Sequence, residues 1–140
     1  MISVNYSLEF NYRIYQDELF PVLTVEVRNP VNDESVEQDA FLDCGAARSI
    51  FMGTILPMVG LTLLDGEEWN FQTNDGRLVE ARIHPIQIVL TEDGTQTVFD
   101  LPLAFSMADI QRNLLGRDFF DRIQVGFRES HSQFFIEPTG

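Results

Sequence analysis

Apolar and polar positions alternate through most of this chain, and helical spacing is scarce, so the pattern predicts strands. Leu23, Val25 and Val27 interleave with Thr24, Glu26 and Arg28, as in a strand with one buried face. The stretch Asn29-Pro30-Val31-Asn32-Asp33-Glu34 predicts a turn. A second strand follows, with Val36, Gln38, Ala40 and Leu42 on one face. Asn74-Asp75-Gly76 and Glu92-Asp93-Gly94 predict two more hairpins, because such dipeptides supply the left-handed residues that tight turns need. Their strands are expected at 69–73 with 78–83, and at 86–90 with 97–103. A last hairpin joins 123–127 to 134–137. Helix is confined to Gly53–Val59, which Pro57 restricts to about one turn, and to residues 117–122 after Gly116. No repeat, low-complexity run or linker intervenes. The pattern therefore predicts a single mostly-β domain over residues 1–140, a small closed barrel.

Composition supports this reading. With 140 residues, 44% of them hydrophobic, the chain can fill a core without disulfide or metal. Its aromatic side chains are mostly phenylalanine (12 Phe, 3 Tyr, 1 Trp), a type favoured in strands. Charge changes the picture more. Nine basic against 22 acidic residues give a net charge of −13, which repels nucleic acid phosphates and anionic lipid and excludes both as partners. Self-association must overcome the same repulsion, so it should strengthen with salt or mild acid. Cys44 is the single cysteine, so no intrachain disulfide can form. The first residues lack a basic-then-apolar leader, and no stretch approaches the roughly 18 apolar residues of a membrane span. These features imply a cytoplasmic protein. His84 and His131 have no clustered carboxylates around them, and no metal is expected.

Two segments carry candidate chemistry. The triplet Asp43-Cys44-Gly45 follows the apolar pair Phe41-Leu42 and precedes Ala46-Ala47-Arg48-Ser49. A carboxylate ending a buried strand among small residues is unusual, since small residues let backbone approach a ligand or a second subunit closely. An ordinary Asp-x-Gly surface turn gives the same triplet. Much later comes Asn113-Leu114-Leu115-Gly116-Arg117-Asp118-Phe119-Phe120, an apolar pair and glycine entering a short helix.

Phe-Leu-Asp-Cys-Gly-Ala-Ala-Arg-Ser, residues 41–49, resembles the active-site motif of the retropepsin-like aspartic proteases: apolar-apolar-Asp-Thr/Ser-Gly-Ala, with a serine six positions after the aspartate. Leu114-Leu115-Gly116-Arg117-Asp118 resembles that family's second motif. Between them, residues 71–83 look like the hairpin flap that closes over substrate. Its exit, Ala81-Arg82-Ile83-His84, is similar to that of the cellular, DNA-damage-inducible branch. The likeness spans about residues 23–137.

The resemblance implies a homodimer in which Asp43 and its symmetry mate flank a water and cleave extended, partly hydrophobic peptide or protein segments, with no cofactor. Cys44, Gly45 and Ala46 would form the active-site loop, with Ala46 and Ala47 along the cleft floor. Thr73, Asn74, Asp75 and Gly76 would lie over substrate in the flap. Ser49, Leu115, Gly116 and Arg117 would support the loop, Arg117 by an ion pair. Retroviral members offer an aspartate four positions after the catalytic one, where this chain has Ala47. Trp69 would touch substrate or pack at the flap base. Retroviral relatives interleave their chain ends, and residues 2–12 would add a strand there.

Cys44 departs from the family's Thr or Ser, whose hydroxyl buttresses the dimer axis, because a thiol is a weak donor and weak acceptor. The alternative reading is therefore a catalytically weak dimer that binds peptides as a scaffold. A Cys44 nucleophile with His84 or His131 as base has little in the sequence to favour it. The acidic surface would steer substrates with basic flanks.

Overall fold

The computed structural model describes residues 5–72 and 75–138. Among them run β1 (Leu8–Asn11), β2 (Arg13–Tyr15), β3 (Glu18–Phe20), β4 (Val22–Arg28), β5 (Ser35–Leu42), β6 (Ile50–Met52), β7 (Glu67–Gln72), β8 (Leu78–Glu92), β9 (Thr95–Ser106) and β10 (Asn113–Leu115). The short helix α1 (Arg117–Phe120) and the hairpin β11 (Ile123–Arg128) and β12 (Gln133–Pro138) complete the chain. The main sheet runs β4-β5-β10-β6-β9-β8, and β8 returns onto β4 through Glu26↔Val89, Val27↔Ile88 and Arg28↔Gln87. That last pairing closes a barrel, which leaves few free sheet edges. The predicted closed mainly-β barrel with short helices is what forms.

The alternation read from the sequence sets which side of each strand faces inward. Leu23, Val25 and Val27 of β4 point into the core with Ala40 and Leu42 of β5. They meet Ile86, Ile88 and Leu90 of β8, Leu101 and Leu103 of β9, and Phe51 of β6. The turn after β4 closes with Asn29 N–H donating to Glu34 O at 2.8 Å, and Asp33 takes the left-handed conformation (φ 62°). Asn29 is itself buried and donates from Nδ2 to Val59 O at 2.9 Å, tying this turn to the 3-10 helix Gly53–Val59. Asp93 and Gly94 (φ 51° and 79°) form the two-residue turn between β8 and β9 that the Asp-Gly pair predicts.

The structure differs from the sequence reading at Pro85. Two separate strands are expected on either side of it, yet β8 is continuous for 15 residues. Pro85 faces Pro102 of β9, and neither residue has an N–H to leave unpaired. On its other edge β8 pairs with β7 over 78–83 and with β4 over 87–89, so Pro85 falls in the gap between those two partners. The proline removes no ladder bond there.

Within the N-terminal segment, Leu8–Asn11 forms a strand that pairs antiparallel with β12 of the same chain, giving a separate sheet β1-β12-β11. The pairing is favourable because Phe10 stacks on Phe134 at 4.9 Å, and Leu8 and Phe10 pack against the core. The next residue, Tyr12, is 8% exposed, and its hydroxyl donates to Glu129 Oε1 at 2.7 Å. Burial first, then the hydrogen bond and charge of Glu129, push the Tyr12 hydroxyl up to about 12. Folding thus favours neutral Tyr12; the associated stability is complete below pH ~10, the unfolded value, and is lost as pH rises toward 12. Urea unfolding at pH 9 and 11.5 should show this loss in the wild type and a smaller one in Tyr12→Phe. Equal losses would remove Tyr12 as the cause.

Candidate active site

The site is built on one topological device. β5 leads into the loop 43–49 and β6 leads out of it, and β10 lies between the two strands, parallel to β5 and antiparallel to β6. The loop must therefore arch over the end of β10. Asp43 N–H donates to Leu115 O (2.9 Å) and Arg117 N–H to Ala46 O (2.9 Å), so main-chain bonds pin the loop on both sides of Gly116. A Cβ at Gly116 would lie 2.6 Å from Ala46 O and 3.0 Å from Arg48 C, which only glycine avoids. Within the loop, Gly45 N–H donates to Asp43 Oδ1 (2.9 Å) and Ala46 N–H to Asp43 O (3.1 Å). The carboxylate is oriented through one oxygen. Oδ2 of this half-buried side chain accepts no hydrogen bond from the described residues.

Below the loop sits a buried polar knot. Ser49 is fully buried; its Oγ donates to Asp118 Oδ1 (2.6 Å) and accepts from Gly116 N–H (2.9 Å). The same Asp118 oxygen accepts from Ser49 N–H and Phe119 N–H, each at 2.8 Å. Asp118 joins the loop to the start of α1, a position the sequence reading left out of its support set. Its signal was present, as the residue following Gly116-Arg117 in the second motif. Asn113, also buried, donates to Asp39 O (3.0 Å) and Gln38 Oε1 (3.2 Å) and accepts from Met52 N–H (2.9 Å), bracing β10 against both neighbours.

The other named residues fall as follows. Leu115 is fully buried in the core beneath Asp43. The Arg117 side chain is exposed and forms no ion pair among the described residues, while its N–H donates to Ala46 O. Ala47 is exposed and Ala46 half-buried. Cys44 is exposed, and its thiol takes no hydrogen bond among the described residues. His84 is buried against Leu63 O at 3.0 Å and His131 contacts Ser130 Oγ at 3.0 Å, so neither pairs with the thiol. Among the described residues, no cluster of His, Cys, Asp and Glu is arranged to hold a metal. No described helix is long and apolar enough to cross a membrane.

The hairpin predicted around Asn74-Asp75-Gly76 is formed by β7 and β8, in register Trp69↔Ala81 and Phe71↔Val79. Asp75 and Gly76 (φ 84°) lie at its tip, while Thr73 and Asn74 fall outside the described residues. Trp69 stacks on Phe71 (4.6 Å), and both pack with Ile50, Ile83, Ile110 and Leu114 in a second, smaller apolar cluster. Arg48 of the loop reaches this hairpin, its guanidinium 5.1 Å from the Trp69 ring centre. Sequence reasoning had assigned Arg48 nothing.

No family model and no curated protein sequence matches the chain. Solved structures do. A retropepsin-like aspartic protease from Rickettsia conorii superposes with a TM-score of 0.64 over 96% of each chain, at 16% identity. EIAV protease complexed with the inhibitor HBY-793 is similar over 78% of this chain and 92% of its own, at 22% identity and a TM-score of 0.49. The Rickettsia conorii superposition shows that the chain has the retropepsin-like fold.

Replacing Ser49 by alanine leaves Gly116 N–H buried without a partner and takes one donor from Asp118. The loss should be about 1–3 kcal/mol. Urea unfolding of Ser49→Ala measures it, and a change under about 0.5 kcal/mol would show that the knot adds nothing to stability.

Proposed function

We propose that this chain is one half of an aspartic endopeptidase, with Asp43 and its copy from a second chain forming the catalytic pair. The supporting observation is the Asp43 carboxylate itself: one oxygen fixed by Gly45 N–H and the other without a hydrogen bond from the described residues, at the end of a strand in a retropepsin-like fold. One Asp-x-Gly triplet per chain means that a pair requires a homodimer. Two carboxylates about 3 Å apart cannot both ionise, so they share a proton. The ionised member takes a proton from the attacking water, and the protonated member donates to the scissile carbonyl oxygen. Their titration belongs to the pair. The β7–β8 hairpin would close over an extended peptide held by main-chain bonds, in the manner of an added strand. Gly45 and Ala46 present little bulk to such a ligand.

Incubation with a diverse peptide library between about pH 4 and 7, beside Asp43→Asn, tests the reading. Cleavage mapped by mass spectrometry should occur with the wild type alone and weaken as the pair loses its shared proton. Uncleaved libraries from a preparation shown to be dimeric would leave the second reading, a peptide-binding scaffold.

That second reading draws on Cys44, whose exposed thiol takes no hydrogen bond among the described residues. A threonine there would place a true donor and acceptor at the loop, a bond worth about 0.5–1.5 kcal/mol. Cys44→Thr should accordingly raise kcat up to about tenfold. Unchanged or lower turnover would remove the thiol as a weak point.

A further inference from the structure

All nine cationic side chains of this chain are arginines, set against 22 carboxylates. Arg13, Arg28 and Arg77 pair with Asp39, Glu26 and Asp75. Two others behave differently. Arg48 and Arg112 are half-buried, neither has a carboxylate within ion-pair distance among the described residues, and both lie over aromatic rings. Arg112 is 4.4 Å from the Phe41 ring centre, 5.4 Å from Phe20 and 5.6 Å from Tyr15, and those three rings also meet edge to face. Arg82 is likewise half-buried with no ion pair among the described residues, but it lies over no ring; in so acidic a chain, two guanidinium groups held on aromatic faces instead of carboxylates need a reason.

Their position supplies one. Side chains alternate along a strand. Ala40 and Leu42 of β5 point into the core, so Asp39, Phe41 and, just beyond the strand, Asp43 share the opposite face. On β10, Asn113 and Leu115 are buried, so Arg112 and Leu114 share that same outer face, with Leu114 in register with Phe41. Arg48 lies at the far end of the Asp43 loop, over Trp69. Trp69 and Leu114 belong to one small apolar cluster with Ile50, Phe71 and Ile110. The face carrying Asp43 thus has an apolar centre with an arginine at each side.

Stacking on a ring occupies the guanidinium face and leaves its N–H edge free, and that edge fits a carboxylate with two parallel bonds. We infer that Arg48 and Arg112 are specificity-determining residues that select peptides with an apolar centre flanked by aspartate or glutamate. The inference rests on the proposed peptide site around Asp43. It runs against the long-range steering of a −13 surface, which favours basic flanks, but steering acts on approach and contacts decide retention. Glu37 and Asp39 also line the cavity of about 380 Å³ beside Arg112 and set up the opposite preference, although Asp39 is already engaged by Arg13 and Thr24.

The test uses three peptides that share one apolar centre and carry Glu, Gln or Lys on both flanks. Each is assayed at pH 6, where the Glu side chains are ionised, for cleavage by the wild type and for binding to Asp43→Asn by fluorescence anisotropy. The Glu peptide should lead the Gln peptide by about tenfold, chiefly in KM and in binding, with the Lys peptide last. The lead should shrink with added salt and in Arg48→Gln and Arg112→Gln. Flank-independent or Lys-favouring binding overturns the inference, even where Asp43-dependent cleavage upholds the peptidase. Ordered binding without any cleavage sinks the peptidase and keeps the acidic specificity. Neither binding nor cleavage overturns both.

Discussion

Three residues wedged between two strands hold this structure's chemistry in place. Asn113, Leu114 and Leu115 run parallel to β5 and antiparallel to β6, so the chain joining those strands has to cross over their end. A three-residue strand has almost no stability of its own. It persists because both edges are paired, because Leu115 is buried, and because the Asn113 side chain bonds to both neighbours where the ladder runs short. With β10 in place, Leu115 O and Ala46 O become the acceptors that fix the Asp43 loop. The carboxylate is aimed by backbone, which leaves its own oxygens largely free for a ligand.

The same wedge divides the molecule into two apolar regions with different tasks. The large core, filled by β4, β5, β8 and β9 with Phe51, Phe105, Phe119 and Phe134, closes the barrel and carries most of the burial. The small cluster around Ile50, Trp69 and Leu114 lies on the other side of β10, beneath the β7–β8 hairpin. A hairpin resting on a few partly exposed side chains opens at lower free energy than a barrel strand. Buried polar groups follow the same division: Ser49, Asp118 and Asn113 are satisfied under the loop, apart from Asp118 Oδ2, which has no partner among the described residues.

Much of this was legible in the residues. Strict alternation at Leu23, Val25 and Val27 has only one stable outcome, a strand with those three inward, and Asp93-Gly94 admits few alternatives to a two-residue turn. The continuity of β8 through Pro85 was not legible, because a proline's cost depends on whether a neighbour needs its N–H, and that is a property of the sheet. The spacing of residues 8–11 marks a strand but carries no information on which edge takes it; the structure pairs it with β12, where Phe10 stacks on Phe134.

By itself the sequence determined the principal hairpins, the inward faces of their strands, the order of the two motifs and the placement of Asp43 at the end of a buried strand. Those depend on local alternation, turn chemistry and residue type, all short-range. Only the tertiary structure decided that Asp118 braces the loop. It also brought Arg48 to Trp69, and Arg112 to Phe41, Phe20 and Tyr15, on the face that carries Asp43. Those contacts join residues from 21 to 97 positions apart, and such pairings are created by barrel closure and register, which no local pattern encodes.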